Sequence, residues 1–134
     1  MAYRLGVLPG DDIGPEVVPA AVTAAAAACK QAGVQLDWVD IPVGMQAYER
    51  YGTTLPGDTL ERLQELDGWI LGPIGHRAYP ADPAAVNPHP ILRKHFDLYA
   101  NIRPVRSFPT VAALHQARIR AVCSLASEEW SRGR

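Results

Sequence analysis

Apolar and polar positions switch repeatedly between strand-like and helix-like patterns along the first seventy or so residues. Dense apolar residues at 3–8 predict a buried strand, and residues 34–43 alternate as a strand with one buried face does. Residues 17–32 have the composition of a helix, with Pro15 suited to its first turn and Gly33 as its stop signal. Strands that alternate with helices in this way favour a parallel α/β sheet.

Shorter elements continue the alternation. Residues 45–51 predict a short helix, and Asp58 with Glu61 has the spacing of a capping box ahead of another helix. The apolar run 68–71 predicts a strand buried on both faces. Pro19 removes a backbone donor from the long helix, so we expect that helix to bend there or to begin later.

Length and charge narrow the class of protein. The 134 residues allow one domain, and 13 basic against 14 acidic residues give 13 − 14 = −1. This balance predicts neither a nucleic-acid nor a membrane surface, so we expect a small molecule or another chain as partner. Cys29 and Cys123 do not form a disulfide framework, no apolar run could span a membrane, and the start lacks a signal-peptide pattern. We therefore expect a cytoplasmic protein.

The segment 91–106 carries the clearest candidate chemistry. Its apolar residues fit a helical face and turn extended from Leu98, so Arg93 and Arg103 are predicted to lie on different elements. Each guanidinium offers a planar fork that matches a carboxylate, which indicates a small polycarboxylate ligand. On spacing alone, two surface arginines in ordinary ion pairs explain the pattern better than a binding site does.

Two stretches resemble one protein family. Leu-Arg-Lys at 92–94 followed by Asp-Leu-Tyr-Ala-Asn-Ile-Arg-Pro at 97–104 resembles the substrate-arginine segment of the isocitrate and isopropylmalate dehydrogenase family. Residues 8–17 resemble its N-terminal strand and turn, although Asp12 stands where the usual family form has glycine. The resemblance implies the N-terminal portion of that family's parallel-sheet domain, truncated, in which both arginines bind the carboxylates of a 2-hydroxy acid.

The resemblance also implies a cofactor loop and further substrate contacts. Gly72, Ile74 and Gly75 follow a predicted strand, at the sheet edge where ligands bind, and match the family loop on the nicotinamide side of NAD or NADP. Asn87 and His89 precede the arginine helix and are candidates for the same substrate pocket, or else caps and turn formers. His89 fits neither the isocitrate nor the isopropylmalate pattern, so the acid stays open among isopropylmalate, isocitrate and tartrate- or malate-like compounds.

By resemblance the activity is oxidative decarboxylation with NAD or NADP and Mg²⁺ or Mn²⁺, in a full-length form that is a homodimer. The catalytic residues and metal ligands cannot be placed in this chain, because no tyrosine follows Tyr99, no lysine follows Lys94 and no aspartate follows Asp97. We therefore expect the chain itself to be inactive. The alternative is a non-catalytic carboxylate-binding module, or a partner subunit of a full-length relative.

The end of the chain departs from the pattern. We assign residues 1–110 to the family-like α/β segment and residues 111–134 to a divergent basic tail. That tail holds four arginines and two glutamates, 4 − 2 = +2, and its ending indicates a shifted reading frame or a natural basic tail. We favour the first. Whether such a chain folds alone is left open by the sequence.

Overall fold

The computed structural model describes residues 2–98, 100–103 and 122–125. The chain divides into two compact units, Met1–Leu92 and Arg93–Arg134. The boundary predicted at residue 110 falls outside the described residues and stays a prediction.

A parallel sheet organises the first unit. Its strands are β1 (Ala2–Leu8), β2 (Gln35–Asp40) and β3 (Gly68–Leu71). The order is β2-β1-β3, and both pairings are parallel, with Leu5 of β1 opposite Trp38 on one side and Gly68 on the other. The predicted parallel α/β class is confirmed.

Helices connect the strands as the periodicity predicts. They are α1 (Gly14–Gln31), α2 (Met45–Tyr51), α3 (Thr59–Gln64) and α4 (Pro88–His95), with a 3₁₀ turn at His76–Ala78. The predicted later start of α1 is wrong, because the helix begins before Pro19 and continues through it. A proline near a helix start removes only one backbone bond, which leaves the rest of the ladder intact. None of the described helices has the length and apolar character that crossing a membrane requires.

The predicted capping box is wrong. Asp58 precedes α3 with φ −83° and ψ −8°, a helical conformation, and its side chain makes no capping hydrogen bond. An N-cap residue normally has an extended backbone, which points its oxygen at the free N–H groups. The Asp58 carboxylate instead lies 3.8 Å from the Arg62 guanidinium, one turn along the helix.

The core lies where the carboxyl half of β1 meets the helices and the segment after β2. Its buried apolar residues are Val7, Leu8, Val18, Ile41, Val43, Ala47, Leu63 and Leu92. β3 was predicted to be buried on both faces, but every residue of it is only half-buried. The cause is its place in the described sheet, where β3 pairs with β1 alone and forms an edge.

In the second unit, β4 (Ala100–Arg103) pairs antiparallel with β5 (Val122–Leu125), with Ala100 opposite Leu125. The expectation that Arg93 and Arg103 lie on different elements is confirmed, since one is in α4 and the other ends β4. β5 lies inside the segment that we expected to diverge.

Candidate functional site

Loops from the carboxyl ends of the parallel strands meet at one buried carboxylate, Asp11. Its side chain is only 7% exposed. Oδ1 accepts a hydrogen bond from the Met45 backbone N–H at 2.6 Å. Oδ2 accepts one from the Gly75 N–H at 2.8 Å and another from the Tyr79 hydroxyl at 2.6 Å. One side chain therefore joins the loop after β1, the start of α2 and the loop after β3.

The loop after β3 crosses the loop after β1 in direct backbone contact. Asp11 N–H donates to the Pro73 carbonyl at 2.7 Å, and Gly72 N–H donates to the Leu8 carbonyl at 2.8 Å. A side chain at Gly72 would collide with the carbonyl oxygen of Pro9. Only glycine allows this crossing, so Gly72 has a packing role beside its predicted place in a cofactor loop.

Asp12 keeps the backbone conformation that a glycine would adopt easily. Its φ is +52°, in the left-handed region that aspartate tolerates better than most residues. A Cβ on Gly75 would lie 2.7 Å from Asp12 Oδ2, so the carboxylate occupies the space that the missing side chain leaves. The Asp12 carboxylate therefore lies directly beside the loop at Gly75.

A cleft of about 330 Å³ opens at this junction. Its lining includes Gly10, Asp11, Asp12, Met45, Gly75 and Tyr79. Burial, together with the hydrogen bond to Asp11, raises the pKa of the Tyr79 hydroxyl well above its ordinary value. The phenol therefore stays protonated at neutral pH and acts as a donor to Asp11.

A second set of hydrogen bonds fixes the approach to α4. The fully buried Thr54 hydroxyl donates to the Val86 carbonyl at 2.6 Å, and Thr54 N–H donates to the Ala84 carbonyl at 3.2 Å. Nearby, the Tyr48 hydroxyl donates to Asp82 at 2.5 Å, a bond that lowers the pKa of that carboxyl group. These contacts set where the chain enters the helix.

Asn87 and His89 lie at the beginning of α4. Asn87 immediately precedes α4, which starts at Pro88, and His89 is the second residue of that helix. The Asn87 Oδ1 accepts a hydrogen bond from the His89 backbone N–H at 3.0 Å. This is the geometry of an N-cap, so Asn87 has the capping role that we considered as its alternative. Substrate contact by Asn87 and by the half-buried His89 stays a prediction.

The end of α4 is set by its backbone. Leu98 N–H donates to the Arg93 carbonyl at 3.0 Å, and Asp97 N–H lies 3.4 Å from the Lys94 carbonyl. This pair of bonds is the Schellman arrangement, in which the residue after the cap is left-handed. Asp97 fills that position with φ +48°. The last turn of α4 is thereby tied to the extended segment that follows.

Arg93 is exposed and lines a hollow of about 240 Å³ with Leu98, Ala100, Asn101 and Ile102. Its guanidinium forms no ion pair with any residue in the described ranges, where the ion pairs are Arg4 with Asp37 and Arg62 with Asp58. The surface-ion-pair explanation of Arg93 is thus not what this part of the structure shows. Arg103 ends β4, and its side chain lies outside the description.

Metal ligation has no counterpart in the described part of the chain. Across residues 2–98, 100–103 and 122–125, no group of three His, Cys, Asp or Glu side chains is placed to hold a metal ion. Divalent ions need several oxygen ligands in one site. The described residues do not fit the divalent metal that the resemblance implies, and no chemical step through such an ion is assigned to them.

A parallel sheet with a ligand-sized cleft at the carboxyl ends of its strands defines an α/β domain of the kind that binds small molecules at that edge. The sequence model of isocitrate/isopropylmalate dehydrogenase matches residues 4–125, and the chain belongs to that family.

Several 3-isopropylmalate dehydrogenases are similar in sequence. That of Desulfitobacterium hafniense is 38% identical over 114 residues, which are 82% of this chain and 32% of the relative. That of Moorella thermoacetica is 39% identical over 106 residues, 76% of this chain and 30% of the relative. The chain therefore spans about a third of the length of the curated relatives it matches.

Solved structures give the same family. The isocitrate dehydrogenase of Methylococcus capsulatus superposes with a TM-score of 0.73 and 31% identity, over 92% of this chain and 34% of the other. A β-decarboxylating dehydrogenase of Thermococcus kodakarensis superposes with a TM-score of 0.70 and 27% identity, over 94% of this chain and 34% of the other. The predicted family and fold are confirmed, including coverage of only a part of the longer proteins.

Sequence reasoning missed the Asp11 cluster. Residues 8–17 were singled out for their resemblance to a strand and turn, while the Asp11 carboxylate within them was given no role. An acidic side chain in the short loop after a buried strand is one signal that could have drawn attention to it. Nothing local predicts its partners, because Gly75 and Tyr79 lie 64 and 68 residues further along.

Proposed function

We propose that this chain provides the N-terminal, substrate-arginine part of a dehydrogenase that oxidises and decarboxylates a small 2-hydroxy polycarboxylic acid with NAD or NADP. The observation that carries the proposal is Arg93, an exposed guanidinium without an ion pair among the described residues, beside a hollow of about 240 Å³. An unpaired arginine at a concave surface is suited to an anionic ligand.

The substrate contacts follow from this assignment. Arg93 and Arg103 each bind a carboxylate of the hydroxy acid through two parallel N–H···O bonds, which fix its orientation as well as its charge. Asn87 and His89, at the start of the same helix as Arg93, contact the remaining polar groups. Family membership supports a hydroxy acid such as isopropylmalate, isocitrate, malate or tartrate.

The loop containing Gly72, Ile74 and Gly75 is proposed to line the nicotinamide side of the cofactor. It follows β3 at the carboxyl edge of the sheet, where ligands of open α/β sheets bind. When bound, NAD or NADP supplies the hydride acceptor of the oxidation. The protein's part here is to hold the loop in one shape and to keep water from that face.

Turnover requires groups that are not assigned in this chain. No tyrosine follows Tyr99 and no lysine follows Lys94, so we expect binding without catalysis. Its two cysteines give no disulfide framework, which supports the cytoplasm as its compartment. A homodimer is the assembly expected for the full-length form. The same missing groups favour a second candidate, a non-catalytic carboxylate-binding module or a partner subunit of a full-length relative.

Two measurements test the proposal. The purified chain with NAD or NADP should show no turnover of isopropylmalate, isocitrate, malate or tartrate, whereas turnover would show that other groups do the chemistry. A chimera should then carry this chain's residues 4–110, the part assigned to the family-like segment, in place of the aligned segment of the Desulfitobacterium hafniense enzyme. It is expected to oxidise a hydroxy acid.

In that chimera, Arg93→Lys and Arg103→Lys should each lower kcat/KM for the acid about tenfold to a hundredfold. The reason is that each variant loses one charge-assisted hydrogen bond, which contributes roughly 1.5–3 kcal/mol. The KM for cofactor should stay unchanged. Arg50→Lys is the matched control, because Arg50 is exposed on α2 and stacks on Tyr51 at 5.8 Å. Unchanged acid kinetics in both test variants would refute the carboxylate contacts and favour the second candidate.

A further inference from the structure

The Asp11 carboxylate accepts hydrogen bonds from three different residues. All three groups that it accepts from are donors, namely two backbone N–H groups and one phenol hydroxyl. An ionised carboxylate is an acceptor only, so its two oxygens satisfy all three without conflict. An asparagine would have to turn an N–H₂ towards at least one donor.

These bonds hold together parts of the chain that are distant in sequence. Met45 lies 34 residues from Asp11, Gly75 lies 64 and Tyr79 lies 68. The crossing contacts of the loop after β3 are at Gly72 and Pro73; at its far end the Gly75 N–H donates to Asp11, and the Gly75 carbonyl accepts from the Ala78 N–H at 2.9 Å. The orientation of Gly75 therefore depends on the Asp11 carboxylate.

We propose that Asp11 is a positioning residue: its carboxylate fixes Gly75 and Tyr79 and thereby sets the shape of the Gly72–Gly75 loop that the cofactor contacts. The inference rests on the proposed function, since it gives this loop its ligand. Asp11 is buried, and both of its carboxylate oxygens accept hydrogen bonds from protein donors, so we assign its effect to the position of the loop.

The same strand supplies a matched control at its other end. Asp67 Oδ2 accepts a hydrogen bond from the Arg4 backbone N–H at 2.8 Å, immediately before β3 begins. Like the Asp11 bonds to Met45 and Gly75, this bond joins a carboxylate to a backbone amide. Its partner is in β1, however, and it lies away from the cleft. A second matched pair is Tyr79 with Asp11 and Tyr48 with Asp82, both phenol-to-carboxylate bonds, at 2.6 and 2.5 Å.

The test is a titration of the complete chain, ¹⁵N-labelled, with NAD⁺ and separately with isopropylmalate, followed by amide chemical shifts. In the wild type, NAD⁺ should shift the Gly75 amide. Asp11→Asn should weaken NAD⁺ binding about tenfold, because a misplaced loop loses complementarity, and should change isopropylmalate affinity less than twofold. Asp67→Asn should change neither affinity.

Tyr79→Phe removes one of the three bonds and should weaken NAD⁺ about threefold, while Tyr48→Phe should leave it unchanged. This pair decides the matter if Asp11→Asn fails to fold. Equal NAD⁺ affinity in Tyr79→Phe and Tyr48→Phe, or equal losses in Asp11→Asn and Asp67→Asn at matched folded fractions, overturns the inference alone. A wild-type chain whose 72–75 amides ignore NAD⁺ overturns both the inference and the proposed cofactor loop.

Discussion

The Asp11 cluster and the Arg93 hollow use charge in opposite ways. Asp11 is a buried carboxylate whose oxygens are taken by the donors of three other residues. Arg93 is an exposed residue whose guanidinium forms no ion pair in the described ranges, while its backbone carbonyl accepts a hydrogen bond from Leu98. The oxygens of Asp11 are engaged by the protein itself, whereas the guanidinium of Arg93 is the group that we propose binds a ligand.

The comparison predicts the largest stability loss at Asp11. Asp11→Asn should lower the free energy of unfolding by about 2 kcal/mol, because a buried donor then faces another donor. Asp67→Asn should cost less than about 1 kcal/mol, since that carboxylate is exposed. Urea unfolding of both variants measures the contrast. Equal losses would mean that Asp11 is an ordinary surface acceptor.

Arg93 should show the reverse behaviour. Arg93→Lys is expected to change the free energy of unfolding by less than about 0.5 kcal/mol, because the side chain is exposed. Affinity of the chain for a dicarboxylate such as isopropylmalate should fall about tenfold, since lysine cannot make the two-bond contact. Calorimetric titration and urea unfolding of the same sample separate the two effects. If Arg93→Lys lowered the free energy of unfolding but left the dicarboxylate affinity unchanged, Arg93 would have a structural role and not a ligand-binding one.

A smaller effect is expected at the left-handed residue that ends α4. Asp97→Gly should raise the free energy of unfolding by about 0.5 kcal/mol, because glycine takes φ +48° without strain and this gain exceeds its greater chain entropy. Asp58→Gly, at φ −83°, should instead lower it. Thermal unfolding of both variants tests the prediction, and a loss in Asp97→Gly would indicate that the carboxylate has an unrecognised contact.

The smallest effect concerns alkaline pH. The pKa of Tyr79 is raised in the folded chain, by burial and by Asp11, above the value of about 10 that it has when unfolded. Its stabilising contribution is therefore complete below pH of about 10 and is lost as pH rises from there towards the folded pKa. Tyr79→Phe should show a shallower fall in melting temperature above pH 10 than the wild type. Identical slopes would contradict the assignment.

The elements that the sequence predicted correctly are those whose apolar residues recur at a regular spacing. Parallel strands, the α2 helix at 45–51 and the extended segment after Leu98 all follow from the spacing of apolar residues. The sequence could not predict the edge position of β3, because strand order depends on which segments pair and not on their composition. The capping box at Asp58 failed because the backbone there is already helical.

Candidate site residues were predicted only where they belong to one continuous sequence motif. Arg93 and Arg103 were recognised from a continuous motif within 92–104. Asp11 was not, since its role exists only after the loops of three strands have been brought together. Asn87 illustrates the intermediate case, a residue whose polar side chain predicts either a cap or a ligand contact until the backbone around it is known.

The Schellman arrangement that ends α4 limits which sequence changes the segment 92–104 can tolerate, in evolution or in engineering. Paired backbone bonds to the Arg93 and Lys94 carbonyls fix the conformation of the chain from the last turn of α4 to Leu98. Side chains of a strand alternate between two faces, so an inserted residue after Asp97 that shifted the pairing of β4 with β5 by one position would exchange the faces of the strand's side chains. The spacing of the two arginines should accordingly tolerate substitutions between them far better than any change in length.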